Sequence, residues 1–161
     1  LFPYTTLFRS STGTGALLAE GSGIVDVTAG IQLKLGYRYE ESHSMCELFL
    51  DQDRMNTRWM LTNSLQPFFD WFGLAVMNPN PVTVTLTMKA FRNGHMVDIS
   101  HLELEPHRKN VGIAAAFWDG LTYADVDTVV IESTLPIPSP ISITGNGAQD
   151  RHVFFSGQPL H

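Results

Sequence analysis

An antiparallel β-sandwich is the fold this sequence predicts, and three observations predict it. Apolar and polar residues alternate with a period of two along residues 31–39 and again along 82–90, and a strand sends successive side chains to opposite faces. Asn93-Gly94 follows the second run directly. Both central residues of a type I′ hairpin turn need positive φ, which Asn and Gly adopt most readily. Helical patterning is nearly absent: residues 111–118, with alanines at 114, 115 and 116 and Gly120 beyond them, read as one short helix.

The remaining elements follow in chain order. Residues 11–23 are rich in Gly, Ser and Thr and read as a linker or loop. Ile31, Leu33, Leu35, Tyr37 and Tyr39 form one face of a first strand, with Gln32, Lys34, Gly36 and Arg38 on the other. Val82, Val84, Leu86, Met88 and Ala90 alternate with three threonines and Lys89, and the β-branched content suits a pleated surface. The return strand runs from about Met96 to Glu105. Its apolar phase slips from Val97 and Ile99 to Leu102 and Leu104, which predicts a bulge near Ser100 or His101. Strands are expected at 129–131, 136–144 and 152–155. Pro136, Pro138 and Pro140 each remove a ladder donor, so the middle one of these is expected on a sheet edge.

Composition excludes several classes. Ten Lys+Arg against sixteen Asp+Glu give a net charge of −6, whereas binding to nucleic acid calls for a basic footprint. Hydrophobic residues make up 43% and charged ones 16%, the opposite of the low-hydropathy, high-charge composition of disordered chains. No apolar run approaches the ~20 residues of a membrane-spanning helix. Cys46 is the single cysteine, so an internal disulfide and a thiolate metal cluster are both excluded.

Two resemblances bear on organisation. Residues 1–10, Leu-Phe-Pro-Tyr-Thr-Thr-Leu-Phe-Arg-Ser, resemble the conceptual translation of a sequencing-library adapter. They are set aside as an expected artefact at the start of a fragment, with a genuine edge strand as the competing reading. Further on, Val27, Ile31 and Leu33 match Ile131, Leu135 and Ile137 in pattern, and residues 47–50 match 152–155. A spacing of roughly a hundred residues is that of tandem sandwich domains, with a chance likeness between two alternating strands as the competing reading. Residues 11–62 are accordingly expected to be the C-terminal half of a preceding repeat, and 63–161 a complete one.

The run Phe72-Gly73-Leu74-Ala75-Val76-Met77-Asn78-Pro79 resembles the Gly-(Leu/Ile)-Ala-x-x-Asn-Pro opening of a family of bacterial extracytoplasmic β-sandwich modules. Ile131-Glu-Ser133-Thr-Leu-Pro136-Ile137 resembles that family's late Val-x-Ser-x-x-Pro-(Ile/Val). The family's glycine before that late strand is replaced by Asp127 and Thr128. The resemblance implies an immunoglobulin-like sandwich serving as a spacer, adhesive or accessory domain, secreted or on the bacterial cell surface. Its motifs concern turns and core, and no catalytic set comes with them.

Four groups of residues carry candidate chemistry. His101, Glu103, Glu105 and His107 fall on one face of a strand, and imidazole with carboxylate suits Zn²⁺. Six steps at ~3.3 Å span ~20 Å, so only a neighbouring pair can share one ion. The competing reading, which we carry forward, is the wetted face of an amphipathic strand. Asp51, Asp53, Asp119, Asp125 and Asp127 offer oxygens to Ca²⁺ but match no complete calcium loop, and Asp is common in turns. Cys46 near His43 is a lone pair, and an isolated Cys is ordinarily a small buried hydrophobe. Phe68, Phe69, Trp71 and Phe72 lie within six residues. Exposed, they make a platform for a sugar ring or a protein anchor; buried, they plug one end of the sandwich.

The expected function is non-catalytic: a structural or interaction module of a larger bacterial extracytoplasmic protein, needing no cofactor. Its expected partners are neighbouring domains of the same polypeptide and a surface glycan or protein ligand. A carbohydrate-binding domain centred on Trp71 is the first alternative. A metal-binding protein or small metalloenzyme using His101 to His107 is the second.

Overall fold

The computed structural model describes residues 8–11, 18–21, 33–39, 44–50, 55–63, 69–147 and 152–161 of the chain. Two antiparallel pairs come first: β1 (Phe8–Ser11) with β2 (Leu18–Gly21), and β3 (Leu33–Tyr39) with β4 (Ser44–Leu50). Part of the stretch expected as linker is therefore strand.

The body of the molecule is an all-β sandwich of two packed antiparallel sheets. Its strands are β5 (Met55–Thr62), β6 (Trp71–Met77), β7 (Val84–Arg92), β8 (His95–Leu104), β9 (Lys109–Ile113), β10 (Thr128–Pro138), β11 (Ile141–Gly145), β12 (His152–Ser156) and β13 (Gln158–Pro159). The first sheet has the order β13-β5-β10-β7-β8 and the second β12-β11-β6-β9. The chain crosses between sheets after β5, β6, β8, β9, β10 and β12, so neither sheet forms without the other.

The core is written in the alternation. Val84, Leu86, Met88 and Ala90 on β7 are fully buried, while the threonines and Lys89 between them face outward. Trp59 and Leu61 on β5, Val129, Ile131 and Ile137 on β10, and Phe72, Leu74 and Val76 on β6 join them in the interior, with Trp118 and Val126. Each such side chain contributes about 1.5–3 kcal/mol on leaving water. The Asn93-Gly94 hairpin forms as the sequence implies, with φ of 50° and 78° and Arg92 paired directly with His95.

Several expectations are corrected. β5, placed before a boundary at residue 62, hydrogen-bonds between β10 and β13 and puts two residues in the core. The sandwich body therefore takes in Met55–Thr62. The helix expected over 111–118 shrinks to α1 (Ala114–Phe117), because residues 109–113 pair with β6 instead. The bulge lies at Val97, since Ala90 pairs with Asp98 and Phe91 with Met96. Val97 and Ile99 are 44% and 43% exposed, so they never formed a buried phase that Leu102 and Leu104 had to rejoin. The proline segment is divided: past Ser133 only β5 flanks β10, so Pro136 and Pro138 sit at a local sheet edge as expected, whereas Ile141–Gly145 lies centrally, between β12 and β6. β10 tolerates prolines because its pairing with β7 ends at Ser133. Pro136 and Pro138 lie past that point, and Pro140 sits in the crossing to β11.

Candidate functional site

The aromatic cluster is divided by the pleat of β6. Phe72 points inward and is 1% exposed, and Phe69, just before the strand, is 6% exposed; Phe68 lies outside the described residues. Trp71 points outward and is half-buried. Its Nε1 donates to the Asn146 carbonyl at 3.0 Å, and its indole lies so close over Gly145 that a Cβ there would meet the ring. Asp70 fixes the same corner, its Oδ2 accepting from the Gly147 amide at 2.9 Å. Among the described residues, one anchored indole edge remains of the three rings at Phe69, Trp71 and Phe72.

The His and Glu residues separate for a backbone reason. β8 ends at Leu104, and Pro106 stands in a turn closed by the Arg108 amide donating to the Glu105 carbonyl at 3.2 Å. His107 has φ of 56°, as the residue after proline does in a type II turn. Glu105 and His107 are thereby carried off the strand face that holds His101 and Glu103. Glu105 meets Arg108 at 3.8 Å, and the His101 Nδ1 lies 3.3 Å from the Thr87 hydroxyl. Among the described residues, no three of His, Cys, Asp and Glu gather as a metal site would require.

Asp125 accepts from the Thr122 amide and hydroxyl at 2.9 and 2.5 Å, capping a single 3-10 turn (Tyr123–Asp125). Asp127 accepts from the Asn93 amide at 2.6 Å and holds the hairpin in place. Asp119 is exposed. Asp51, Asp53, His43 and the Cys46 side chain lie outside the described residues.

The outer faces of the two sheets differ in kind. On the first, Glu132 of β10 bridges Lys89 of β7 at 2.7 Å and Arg58 of β5 at 3.3 Å. The Lys89 hydrogen bond, ahead of the charges of Lys89 and Arg58, holds the Glu132 carboxyl below its ordinary pKa. Asp125 is also lowered, first by the Thr122 hydroxyl. A carboxyl depressed in the folded state stabilises above its unfolded pKa and loses that contribution as pH falls through the folded value. Stability is therefore expected to hold level from about pH 7 to pH 5 and to decline below about pH 4. Glu132→Gln should shrink the decline, by well under ~1 kcal/mol for so exposed a pair. Urea midpoints measured across that range check it, and an identical acid profile in the variant refutes it.

The second sheet carries the feature that sequence reasoning missed. Its outward positions are Trp71, Gly73, Ala75 and Met77 on β6, Ile141 and Ile143 on β11, and Lys109, Val111 and Ile113 on β9, joined by direct cross-strand pairing, with Lys109 the one charge among them. Val111 and Ile113 are 48% and 54% exposed. β11 is inside out: Ser142 and Thr144 are buried, their hydroxyls donating to the Thr62 carbonyl at 3.1 Å and the Asn63 Oδ1 at 2.9 Å. The signal was in the sequence, since Trp71–Met77 is apolar in both phases, the mark of a strand covered on both sides.

Fold and surface together define an all-β, two-sheet antiparallel sandwich with one apolar and one charged outer face. Over 65% of its length, the chain is similar to 95% of the chain in the crystal structure of Thermotoga maritima 1070, with 14% sequence identity and a TM-score of 0.47. No family model and no curated protein matches it.

Proposed function

We propose that this chain is a non-catalytic structural or interaction module, immunoglobulin-like in type, of a larger bacterial extracytoplasmic protein. The observation that carries this reading is the apolar outer face of the β12-β11-β6-β9 sheet. An exposed contiguous apolar patch on an otherwise polar domain marks a contact surface. The Gly73 to Pro79 resemblance supports the extracytoplasmic setting, and Asn78 acts within it as a structural residue, tying a turn.

In the test, purified chain is assayed against ester, glycoside, peptide and phosphoester substrates, and titrated with an apolar fluorescent dye. No turnover is expected, with dye binding to the native fold that weakens in Ile113→Lys. Turnover at an enzymatic rate overturns the reading. The half-buried indole of Trp71 supports a second reading, a glycan-binding domain. A glycan array on which bound sugars are lost in Trp71→Ala favours it, and an array without hits removes it.

A further inference from the structure

We propose that β9 is a self-pairing edge, through which two copies of this chain join their second sheets into one continuous antiparallel sheet. This rests on the reading of the chain as an interaction module and names the partner of its apolar face.

β9 ends the second sheet: β6 lies on one side, and no described strand lies on the other. The hydrogen-bond phase shows which groups face that open side. The Asn78 amide donates to the Arg108 carbonyl at 2.8 Å, and Asn78 and Arg108 continue the β6–β9 register by one step. Antiparallel pairs alternate between those that exchange hydrogen bonds and those that do not. The Val76–Asn110 and Leu74–Gly112 pairs therefore bond, while Ala75–Val111 and Gly73–Ile113 do not. The N–H groups of Val111 and Ile113 and the Val111 C=O consequently point away from β6, toward the open edge, while the Ile113 C=O, as the N-cap of α1, accepts the first bond of that helix. The Val111 and Ile113 side chains are the two half-exposed ones on the apolar face.

Sandwich edges are ordinarily guarded by charge, proline, shortness or a bulge, because unpaired strands recruit other strands. The other edges here follow that rule. β8 carries the Val97 bulge and presents His101 and Glu103 outward; β13 has two residues and ends on Pro159; β12 has β4 alongside it. β9 has no bulge, no proline and no acidic residue, and its one charge, Lys109, stands at its far end. The helix that follows presents Ala115 and Ala116 as its exposed residues, with Phe117 half-buried.

A second copy fits this edge better than an unrelated strand because the edge is complementary to itself. A two-fold axis at Gly112 sets Val111 opposite Ile113 of the second copy, and Ile113 opposite its Val111. In these two pairs each Ile113 N–H donates to the Val111 C=O of the other copy, two backbone hydrogen bonds in all, and aliphatic side chains come together on the outer face. Gly112 meets its own counterpart at a position that does not bond, where the backbones approach most closely. The chain carries a net charge of −6, yet the outward positions of β6, β9 and β11 include no carboxylate. Two copies can therefore meet there without acidic side chains opposing one another.

Sedimentation equilibrium of the purified chain from about 1 μM to about 1 mM tests the pairing. A concentration-dependent dimer is expected. Val111→Pro, which removes an N–H that β6 does not use, and Ile113→Lys should each raise the dissociation constant about ten-fold or more. Val97→Lys on the guarded edge should leave it unchanged. Circular dichroism separates lost pairing from lost folding, and if Val111→Pro unfolds, Ile113→Lys decides alone. A monomer throughout the range, or a dimer that both β9 variants leave intact, overturns the proposal while the module reading stands. Substrate turnover bears on the module reading and leaves the dimer measurement untouched.

Discussion

Trp59→Ala is expected to cost about 3–5 kcal/mol of unfolding free energy, the range for deleting a buried aromatic side chain. Trp59 is 0% exposed and stands on β5, between β10 and β13. Its Nε1 donates to the Asn56 carbonyl at 3.1 Å and the Ile137 carbonyl at 3.2 Å. Gly157 leads into the short final strand so close to the indole that an added Cβ would lie 3.3 Å from the ring. Truncation would thus open a cavity between the central strands and strip two carbonyls of a donor. At the low end of the typical stability range, ~5 kcal/mol, a loss of that size leaves a large unfolded fraction. Trp59→Phe separates the two losses, keeping most of the apolar volume and losing the N–H for about 1–2 kcal/mol. Urea unfolding measures both. A Trp59→Ala variant within 1 kcal/mol of the parent, on the scale of ordinary surface changes, would contradict this account of the core.

Asn78→Ala should be nearly as damaging, at about 2–4 kcal/mol, although it removes little apolar surface. Asn78 is 0% exposed, and its amide nitrogen donates to the carbonyls of Val82, Leu104 and Glu105 at 2.8, 2.9 and 3.0 Å. Its Oδ1 accepts from the backbone and side-chain nitrogens of Asn80 at 2.9 and 3.0 Å. One side chain thereby ties the approach to β7 to the end of β8 and holds the intervening turn. Alanine would remove this donor from the buried Leu104 carbonyl and from the part-buried Val82 and Glu105 carbonyls, and an unmet buried acceptor costs more than the hydrogen bond itself contributes. Asn78→Asp should be worse at neutral pH, since it sets a carboxylate against three carbonyl oxygens. Its deficit should narrow on acidification as the carboxyl takes up a proton, which thermal melts at pH 7 and pH 4 would show. Equal stability of Asn78→Ala and the parent would refute the assigned role.

Residues 82–90 show how far local pattern reaches. The strict alternation of β7 specifies its strand, its buried face and, with Asn93-Gly94 next in line, its partner, because all three depend on neighbours in sequence. The separation of Phe72 from Trp71 follows from the same period of two, once the strand is known. β9 shows the limit. The alanines at 114–116 suit a helix, whereas Val111, Gly112 and Ile113 do not, and pairing with β6 fixes that first half of the segment as strand. β5 was passed over because its inward residues, Trp59 and Leu61, stand among Arg58, Met60 and Thr62 in a pattern too short to separate from its surroundings. Ser142 and Thr144 defy the apolar-inward rule because Asn63 and the Thr62 carbonyl, distant in sequence, receive their hydroxyls.

The candidate site divides along the same line. Trp71 and Phe72 open β6 with Phe69 just before it, but exposure depends on which face the opposite sheet covers, and that face took Phe72. His101, Glu103, Glu105 and His107 formed a row only while the strand was taken to continue. Pro106 carries the signal that it does not.

By itself, the sequence determined the all-β class, the β7–β8 hairpin, the inward phase of the central strands and the exclusion of a basic footprint. These depend on periods of two and on turn chemistry within a few residues. Tertiary structure alone decided that β5 belongs to the sandwich, that β9 is a strand, and that one sheet keeps an apolar face outward. Each of those depends on which distant segment lies alongside, and the free energy of pairing and burial there exceeds the preference of any local run.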